Sequence, residues 1–575
     1  MKSLEFRDGQ IYINGTRTLM KAGEFHYFRI NRELWEPGLE KLKNAGMNVI
    51  ASYVPWIWHE FEENKYDFVG KTDSRRDLLG FLDLVKKKGF AFMFRPGPYI
   101  NAEYNGQGVP LWVGEHYPET IAKRPDGKLD GGPYWYTPTW NHPKYMELVK
   151  KWYATVFDAV SQYLGDPIVS VQLDNEIGVP YLNKIGVIDF NPVAISRFRE
   201  WLIKKYNNIA TLNAVWRTKY RSFEQILPPK KPVNPAAATD WQMFLDDEGI
   251  IFLTELKKIV RELNVNLPFS INEPSIVIAP MNSLKKAEFA DIYGYDIYLK
   301  MSTEKVPFDM TFGDSIMPAM FLAIKKKEHP LASLEFGAGW FNPRTYQHKC
   351  YFAQTLIDSL AHGMKGMVLY VAHDCVEATG HIYAYDSIVR HDGSLGYKYK
   401  QYMDIYGAIE KYREEFLDSS LITDGSGIVF YYGNQYMLPG EYTKSGQLNP
   451  NKFRLKFGWA GLLAAEYLSG YRPEFVAIEK EMDLSKYPVL FFPSLGFVAP
   501  DIYKKLLNYV QNGGTLVTSP IVPRFDLYGN PLDTHDLFPA ELVKEQIIGG
   551  MRIYLSIVKK MISYGIKGTI RKTIK

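Results

Sequence analysis

"VSVQLDNEIG", residues 169 to 178, joins an apolar run to two acids and an amide. The first residues have the composition of a buried strand, and Asp174, Asn175 and Glu176 follow them directly. Burying polar groups without partners costs free energy. We therefore expect these three side chains where the strand reaches an opening in the protein, and the neighbouring segments indicate which opening that is.

Strand-like and helix-like segments alternate on both sides of this stretch, through the first 400 residues. Several amphipathic helical runs end in lysine and glycine, which is typical of helix C-termini. The predicted strands are 18–27, 47–56, 90–99, 169–178, 267–272, 292–299, 331–336 and 366–373, and the predicted helices are 32–46, 75–89, 144–164, 193–206, 240–263 and 347–363. Eight strands with helical crossovers predict a (β/α)₈ TIM barrel in an α/β protein, with a doubly wound open sheet as the alternative.

Polar residues recur where these strands end, and the carboxyl ends of barrel strands meet at one mouth. The residues are Glu24, His26, His59, Glu60, Asn101, Glu103, Asn175, Glu176, Glu273 and Glu335. The barrel prediction therefore gathers residues that are far apart in sequence into one candidate site.

Glu176 and Glu335 each end an apolar strand, on predicted strands four and seven. Two carboxyl groups about 5 Å apart, one protonated and one ionised, are what retaining glycoside hydrolysis requires. Burial and mutual repulsion can separate the two pKa values. A structural salt bridge is the alternative for either glutamate alone, and the pair at one rim favours catalysis.

Five motifs, in order along the barrel, resemble those of glycoside hydrolase family 35, the retaining β-galactosidases. They are "GEFHYFR" (23–29), "YVPWIWHE" (53–60), "RPGPYINAEYNGQGVPLW" (95–112), "DPIVSVQLDNEIG" (166–178) and "LEFGAGW" (334–340). The resemblance implies a catalytic acid/base, a nucleophile and a set of substrate-binding residues, with no cofactor and no metal. The acid/base would be Glu176 and the nucleophile Glu335, and the substrate-binding residues would be Tyr53, Asn101, Ala102, Glu103, Asn175, Trp340, Tyr370 and Tyr385. Asp174 is interpreted as a supporting residue that alternates away from Asn175 on the strand, and His26, His59 and Glu60 as hydrogen-bonding residues of the rim.

Three positions depart from the family pattern. Asn101 stands where the family usually has Cys, Ile57 where it often has Asn, and Gly337 where an aromatic residue is common. Some archaeal-type relatives are exo-β-glucosaminidases, and an amino sugar would favour an additional carboxylate near the 2-position. The chain has the neutral Asn175 there, so we expect β-D-galactose, with glucosamine as the alternative.

A second pattern begins after about residue 420. Short apolar runs at 426–433, 474–479, 487–494 and 514–519, with a helix at 501–514, predict a flavodoxin-like α/β domain. It resembles the corresponding domain of family 42 β-galactosidases, which share the clan, and this implies a homo-oligomer. The predicted division is a catalytic barrel at 1–415, the smaller domain at 420–535, and a basic tail at 536–575 that is either native or a truncated remnant.

Composition excludes several other classes of protein. About +6 of charge lies in residues 541–575 and the rest of the chain carries about −2, so no basic patch indicates nucleic acid. The two cysteines exclude a disulfide framework, and the polar N-terminus and the lack of long apolar runs predict a cytoplasmic protein with no membrane span. Two other functions stay open: a carbohydrate-binding barrel without catalysis, and a metal-dependent hydrolase that would use His26 and His59.

Overall fold

Eight parallel strands close into a barrel in their sequence order, which confirms the predicted barrel and rules out the open sheet. They are β1 (Met20–Glu24), β2 (Val49–Tyr53), β3 (Ala91–Arg95), β4 (Ile168–Gln172), β5 (Phe269–Glu273), β6 (Ile292–Ile297), β7 (Leu331–Gly337) and β8 (Met364–Tyr370). Every residue of these strands is buried, because helices cover the outside and side chains fill the inside.

The computed structural model describes most of the chain. The described residues are 2–132, 134–181, 188–230, 234–274, 281–298, 308–339, 349–376, 383–437, 450–519, 521–548 and 551–558. Among them, no helix is long and apolar enough to cross a membrane.

Helices follow the barrel strands as crossovers. They are α1 (Trp35–Asn44), α2 (Leu78–Lys87), α3 (Pro143–Ala159), α4 (Pro192–Tyr206), α5 (Ile209–Trp216), α6 (Pro235–Glu262), α7 (Ser283–Phe289), α8 (Phe308–Ile324), α9 (Cys350–Ala361), α10 (Tyr397–Lys411) and α11 (Arg413–Asp418). Local sequence sets several boundaries: Asp77 caps α2 by accepting from the Gly80 amide, and Asn234 caps α6 just before a proline. Helix α8 was not predicted, because its sequence does not separate an apolar face from a polar face and contains Pro318.

Shorter helices and strands lie outside the two main sheets. Two short helices lie at Trp56–His59 and Leu111–His116. The remaining strands outside the two main sheets are Leu4–Arg7, Gln10–Ile13, Thr16–Arg17, Glu60–Glu62, Lys65–Tyr66, Gly131–Gly132, Trp135–Tyr136, Ala540–Ile548 and Met551–Val558. The last two pair as an antiparallel hairpin inside the segment predicted as a basic tail.

A second parallel sheet follows the barrel, as predicted for a flavodoxin-like domain. Its strands are β9 (Gly427–Phe430), β10 (Glu474–Ala477), β11 (Val489–Phe492) and β12 (Thr515–Thr518), in the order β10-β9-β11-β12, with helices α12 (Pro450–Leu468) and α13 (Pro500–Gln511). One buried apolar cluster runs from the barrel into this sheet. The domain boundaries proposed from sequence stay predictions.

One local expectation was wrong. Strand β4 ends at Gln172, so Asp174, Asn175 and Glu176 lie in the turn after it and not on the strand. Asp174 and Glu176 have φ values of 58° and 45°, a left-handed conformation that no strand contains. The alternation argument for Asp174 therefore does not apply, and the turn itself directs these side chains into the barrel mouth.

Candidate active site

The turn after β4 is fixed to the loop after β3. The Asp174 amide donates to the Gly97 carbonyl at 3.0 Å, and its carboxylate accepts from the Tyr99 amide at 2.9 Å. Burial raises the pKa of Asp174 well above its ordinary value. The contacts of Asp174 are with backbone, which agrees with the supporting role predicted for it.

Glu335 lies within β7 and is surrounded by groups that stabilise a carboxylate. The Tyr53 hydroxyl is 2.6 Å from Glu335 Oε1, and the Tyr298 hydroxyl donates to Oε2. Arg95 Nη1 lies 3.5 Å from Oε1 and 3.1 Å from the carboxylate of Glu24. Burial raises the pKa of Glu335, whereas Arg95 and the two hydroxyl groups lower it.

Glu176 has fewer partners for its ionised form. Asn101 Nδ2 donates to Oε2 at 2.7 Å, and the side chain is 9% exposed against 2% for Glu335. Burial raises the pKa of Glu176, the neighbouring Glu335 raises it further, and Asn101 lowers it less. Because the anion of Glu335 has more donors than that of Glu176, we expect Glu335 to ionise first and Glu176 to keep its proton.

The two glutamates approach each other across the barrel mouth together with a third acid, Asp296. One carboxylate oxygen from each of the three residues lies within 4.8 Å of the other two. This spacing brings Glu176 and Glu335 close enough to act on the two faces of one glycosidic bond, as retaining hydrolysis requires.

Asn175 lies between the same elements. Its Oδ1 is 2.8 Å from the Tyr53 hydroxyl and accepts from Gln172 Nε2 at 2.8 Å. The single proton of Tyr53 can serve either Asn175 or Glu335, but not both at once. The structure thus brings together Tyr53, Asn175, Glu176 and Glu335 as the sequence predicted.

The loop after β3 forms a second side of the candidate site. Asn101, Ala102 and Glu103 are consecutive residues with φ values of 52°, 55° and 44°, an arrangement that costs free energy and needs external support. Buried Arg29 provides it by donating to the carbonyl groups of Ala102 and Glu103 at 2.9 and 3.3 Å. The Glu103 carboxylate in turn accepts from the Tyr383 hydroxyl.

The aromatic predictions have mixed outcomes. The Tyr370 hydroxyl is 2.9 Å from that of Tyr383, which places both rings beside Glu103. Tyr385 is half-buried two residues further on, and its binding role stays a prediction. Trp340 lies outside the described residues. The sequence motif "HIYAYDS" contains Tyr383 and Tyr385, and only Tyr385 is predicted from sequence to bind substrate.

The histidines at the rim do not form a shared site. His26 Nε2 lies 3.4 Å from Glu24, and both ring nitrogens of His59 are engaged, at 2.6 Å each, by the Tyr27 hydroxyl and the Asp67 carbonyl. Glu60 accepts from Trp56 and from the Asn64 amide. These contacts agree with hydrogen-bonding roles and do not assemble the His26–His59 metal centre considered from sequence.

Sequence reasoning missed Asn272, Asp296 and Tyr298, which lie at the ends of β5 and β6. Glu273, which was noted at the end of β5, is instead paired with buried Lys286 at 2.7 Å and accepts from Tyr293 at 2.6 Å. The available signal was the polar ending of each strand, "SINE" and "YDIY", in segments that otherwise look like ordinary buried strands.

Comparison with known proteins agrees with this geometry. Residues 10–219 match the family described as glycosyl hydrolases family 35. The first part of the barrel thus resembles glycoside hydrolase family 35. Residues 452–555 match the family described as GLMA-like, second domain, so a second domain is recognised after the barrel.

Individual relatives cover most of the chain. A β-1,2-glucosyltransferase of Ignavibacterium album is 28% identical over 90% of this chain and 76% of its own. An exo-β-D-glucosaminidase of Pyrococcus horikoshii is 27% identical over 96% of this chain and 73% of its own. The solved β-galactosidase of Rahnella sp. R3 has the same fold, with a TM-score of 0.76 at 16% identity over 95% of this chain and 78% of that one. The family match and the glycosidase relatives support a glycosidase, an enzyme whose substrate is a carbohydrate.

Proposed function

We propose that this chain is a retaining exo-β-glycosidase in which Glu335 is the nucleophile and Glu176 the acid/base. The observation that carries the proposal is the approach of their carboxylate oxygens to within 4.8 Å, with the ion-pairing and hydroxyl groups gathered around Glu335. A separation of roughly 5 Å suits retention, whereas inversion needs about 6.5 Å or more to admit a water molecule.

The reaction would proceed in two displacements. Ionised Glu335 attacks the anomeric carbon while Glu176 donates its proton to the leaving oxygen, which gives a glycosyl-enzyme ester and a free alcohol. Glu176, now ionised, takes a proton from water, and the hydroxide equivalent displaces Glu335 and releases the sugar. Asn175 would bind the 2-hydroxyl, and Glu103, with the backbone of Asn101 and Ala102, would bind hydroxyl groups on the other side of the ring.

The proposed sugar is terminal, non-reducing β-D-galactose. The match of residues 10–219 to family 35 and the neutral Asn175 support a neutral hexose. Asn101, where the family usually has Cys, donates a hydrogen bond to Glu176. The second candidate is exo-β-D-glucosaminidase action on chitosan oligosaccharides, which the Pyrococcus horikoshii relative favours by its likeness along almost the whole chain.

A substrate panel tests the proposal. Nitrophenyl β-galactoside, β-glucosaminide, β-glucoside and β-fucoside are incubated with the protein, and the first sugar anomer released is identified by NMR. We expect galactose released first as the β-anomer. Release of the α-anomer would contradict retention, a preference for the glucosaminide would contradict galactose, and binding without nitrophenol release would indicate a non-catalytic barrel.

The cellular location and the oligomeric state are proposals too. We propose a cytoplasmic protein, and a homo-oligomer on the resemblance of the second domain to that of family 42. Fractionation of cells tests the first, and size measurement in solution tests the second.

A further inference from the structure

Asn272, at the end of β5, connects the two proposed catalytic glutamates. Its Oδ1 accepts from the Glu176 backbone amide at 3.0 Å and from Gln172 Nε2 at 3.2 Å. Its Nδ2 donates to Asp296 Oδ2 at 2.8 Å and to Glu335 Oε1 at 3.3 Å. All four hydrogen-bonding positions of the amide are used, so its orientation is fixed: a flipped amide would point donors at donors.

Asp296 is the acceptor that completes this arrangement. It lies on β6 in register with Glu335 on β7, and it is 2% exposed. Its Oδ2 accepts from Asn272, whereas its Oδ1 is buried with no hydrogen-bond partner among the described residues. A buried carboxylate anion with one amide donor is poorly stabilised.

The charges that face Asp296 disfavour a further anion. Glu335 and Glu176 approach it within 4.8 Å, and Arg95, a cation that acts on Asp296, already contacts both Glu24 and Glu335. The carboxyl groups of Asp296, Glu176 and Glu335 lie close to one another, so ionising all three at once would cost free energy through mutual repulsion.

We propose that Asp296 is a positioning residue that holds Asn272 between the two catalytic glutamates and does so as a neutral carboxylic acid. It keeps the Glu176 turn and the Glu335 carboxylate in one fixed relation, and it adds no charge beside the nucleophile. Burial, followed by Glu335 and Glu176, raises the pKa of Asp296 well above its ordinary value, while Arg95 and Asn272 oppose this less strongly. The inference rests on the proposed function, because it assigns Asp296 a part in the same reaction.

Two substitutions of Asp296 distinguish its role as hydrogen-bond acceptor for Asn272 from an effect of its charge. Asp296→Leu removes the acceptor for Asn272, and we expect kcat to fall about 100-fold, as for loss of one preorganised donor or acceptor. Asp296→Asn keeps a neutral acceptor of the same shape, and we expect it to recover most of that loss, with the alkaline limit of kcat/KM at the wild-type pH.

Two results of the activity measurements on Asp296→Asn would overturn the proposal. If Asp296 is ionised, Asp296→Asn removes a negative charge next to Glu176, the pKa of Glu176 falls, and the alkaline limit moves to lower pH by about one unit. If Asp296 instead binds a substrate ammonium group, Asp296→Asn loses glucosaminide hydrolysis selectively. Wild-type protein that turns over none of the glycosides would count against the proposed function alone.

Thermal stability tests the protonation state of Asp296 independently of enzyme activity. A carboxyl group whose pKa is higher in the folded state than in the unfolded state destabilises the fold increasingly as pH rises between the two values. Asp296→Asn removes that penalty. We therefore expect its melting temperature to exceed that of the wild type by more at pH 7 than at pH 4, and a gap that is the same at both pH values would refute the neutral acid.

Discussion

At the scale of single residues, the environment of Glu335 distinguishes it from Glu176. The hydroxyl groups of Tyr53 and Tyr298 and the guanidinium group of Arg95 all stabilise its anion, whereas Glu176 has the amide of Asn101. These different environments fit the different tasks proposed for two chemically identical side chains, attack by Glu335 and proton donation by Glu176.

Tyr298→Phe tests one of these partners. We expect kcat to fall about 100-fold, because the nucleophile loses a preorganised hydrogen-bond donor. Tyr295→Phe, on the strand that Tyr298 follows, is the matched control. Its hydroxyl lies 3.5 Å from Met364 Sδ and not at the site, so kcat should stay within about twofold. Equal rates for the two variants would show that Tyr298 does not act on Glu335.

At the scale of elements, Arg95 connects three strands of the barrel. From β3 it contacts Glu24 on β1 and Glu335 on β7, and it donates to the Leu334 carbonyl at 2.9 Å. The same guanidinium group therefore supports both the closure of the barrel and the ionised state of Glu335, the proposed nucleophile.

Arg95→Met separates these contributions. It leaves two buried carboxyl groups without their cation, so we expect the free energy of unfolding to fall by about 3–5 kcal/mol. The pKa of Glu335 rises, and the acid limit of kcat/KM moves to higher pH by about one unit or more. Denaturant unfolding and pH–rate profiles measure the two effects.

A double variant is the control for Arg95→Met. Adding Glu24→Gln removes one of the two unpaired acids, so stability should return in part while the acid limit stays above that of the wild type. An acid limit that never moves would mean that Arg95 does not influence the nucleophile.

The strands of the barrel could be predicted from the sequence, but parts of the candidate site could not. Alternating strand and helix patterns predicted all eight barrel strands. Strand-end motifs placed Tyr53, Asn175, Glu176 and Glu335 together at the barrel mouth, where the structure has them, and their roles stay predictions. The strand ending "YDIY" marks Asp296 as polar, but its place beside Glu335 comes from the register between β6 and β7, which no local pattern contains. The left-handed turn after β4 was missed because an apolar run followed by acids fits a strand end equally well.

At the scale of the whole molecule, the barrel and the second domain share a buried polar contact. The Tyr436 hydroxyl donates to Asp246 Oδ2 on helix α6 at 2.8 Å, and the Asn282 amide donates to Oδ1 at 2.9 Å. Burial raises the pKa of Asp246 to about 6, and the Tyr436 hydroxyl limits that rise. The contact therefore has a pH-dependent strength.

Tyr436→Phe should destabilise the protein more at pH 7 than at pH 4. Above about pH 6 the folded protein holds an ionised Asp246 that loses a donor, at a cost of about 1–3 kcal/mol, whereas at pH 4 the carboxyl group is largely protonated in the folded state. Calorimetry at both pH values measures the difference. Tyr412→Phe, at an exposed tyrosine, controls for loss of a hydroxyl group, and equal destabilisation at both pH values would contradict the assignment.

The most direct test of the two-glutamate account is to trap the covalent intermediate. A 2-deoxy-2-fluoro glycoside of the preferred sugar, with a good leaving group, is incubated with the protein, and the labelled peptide is sequenced by mass spectrometry. We predict one sugar per chain, attached to Glu335, and faster labelling than turnover. A label on Glu176 or any other residue, or efficient hydrolysis without a covalent adduct, would contradict the account.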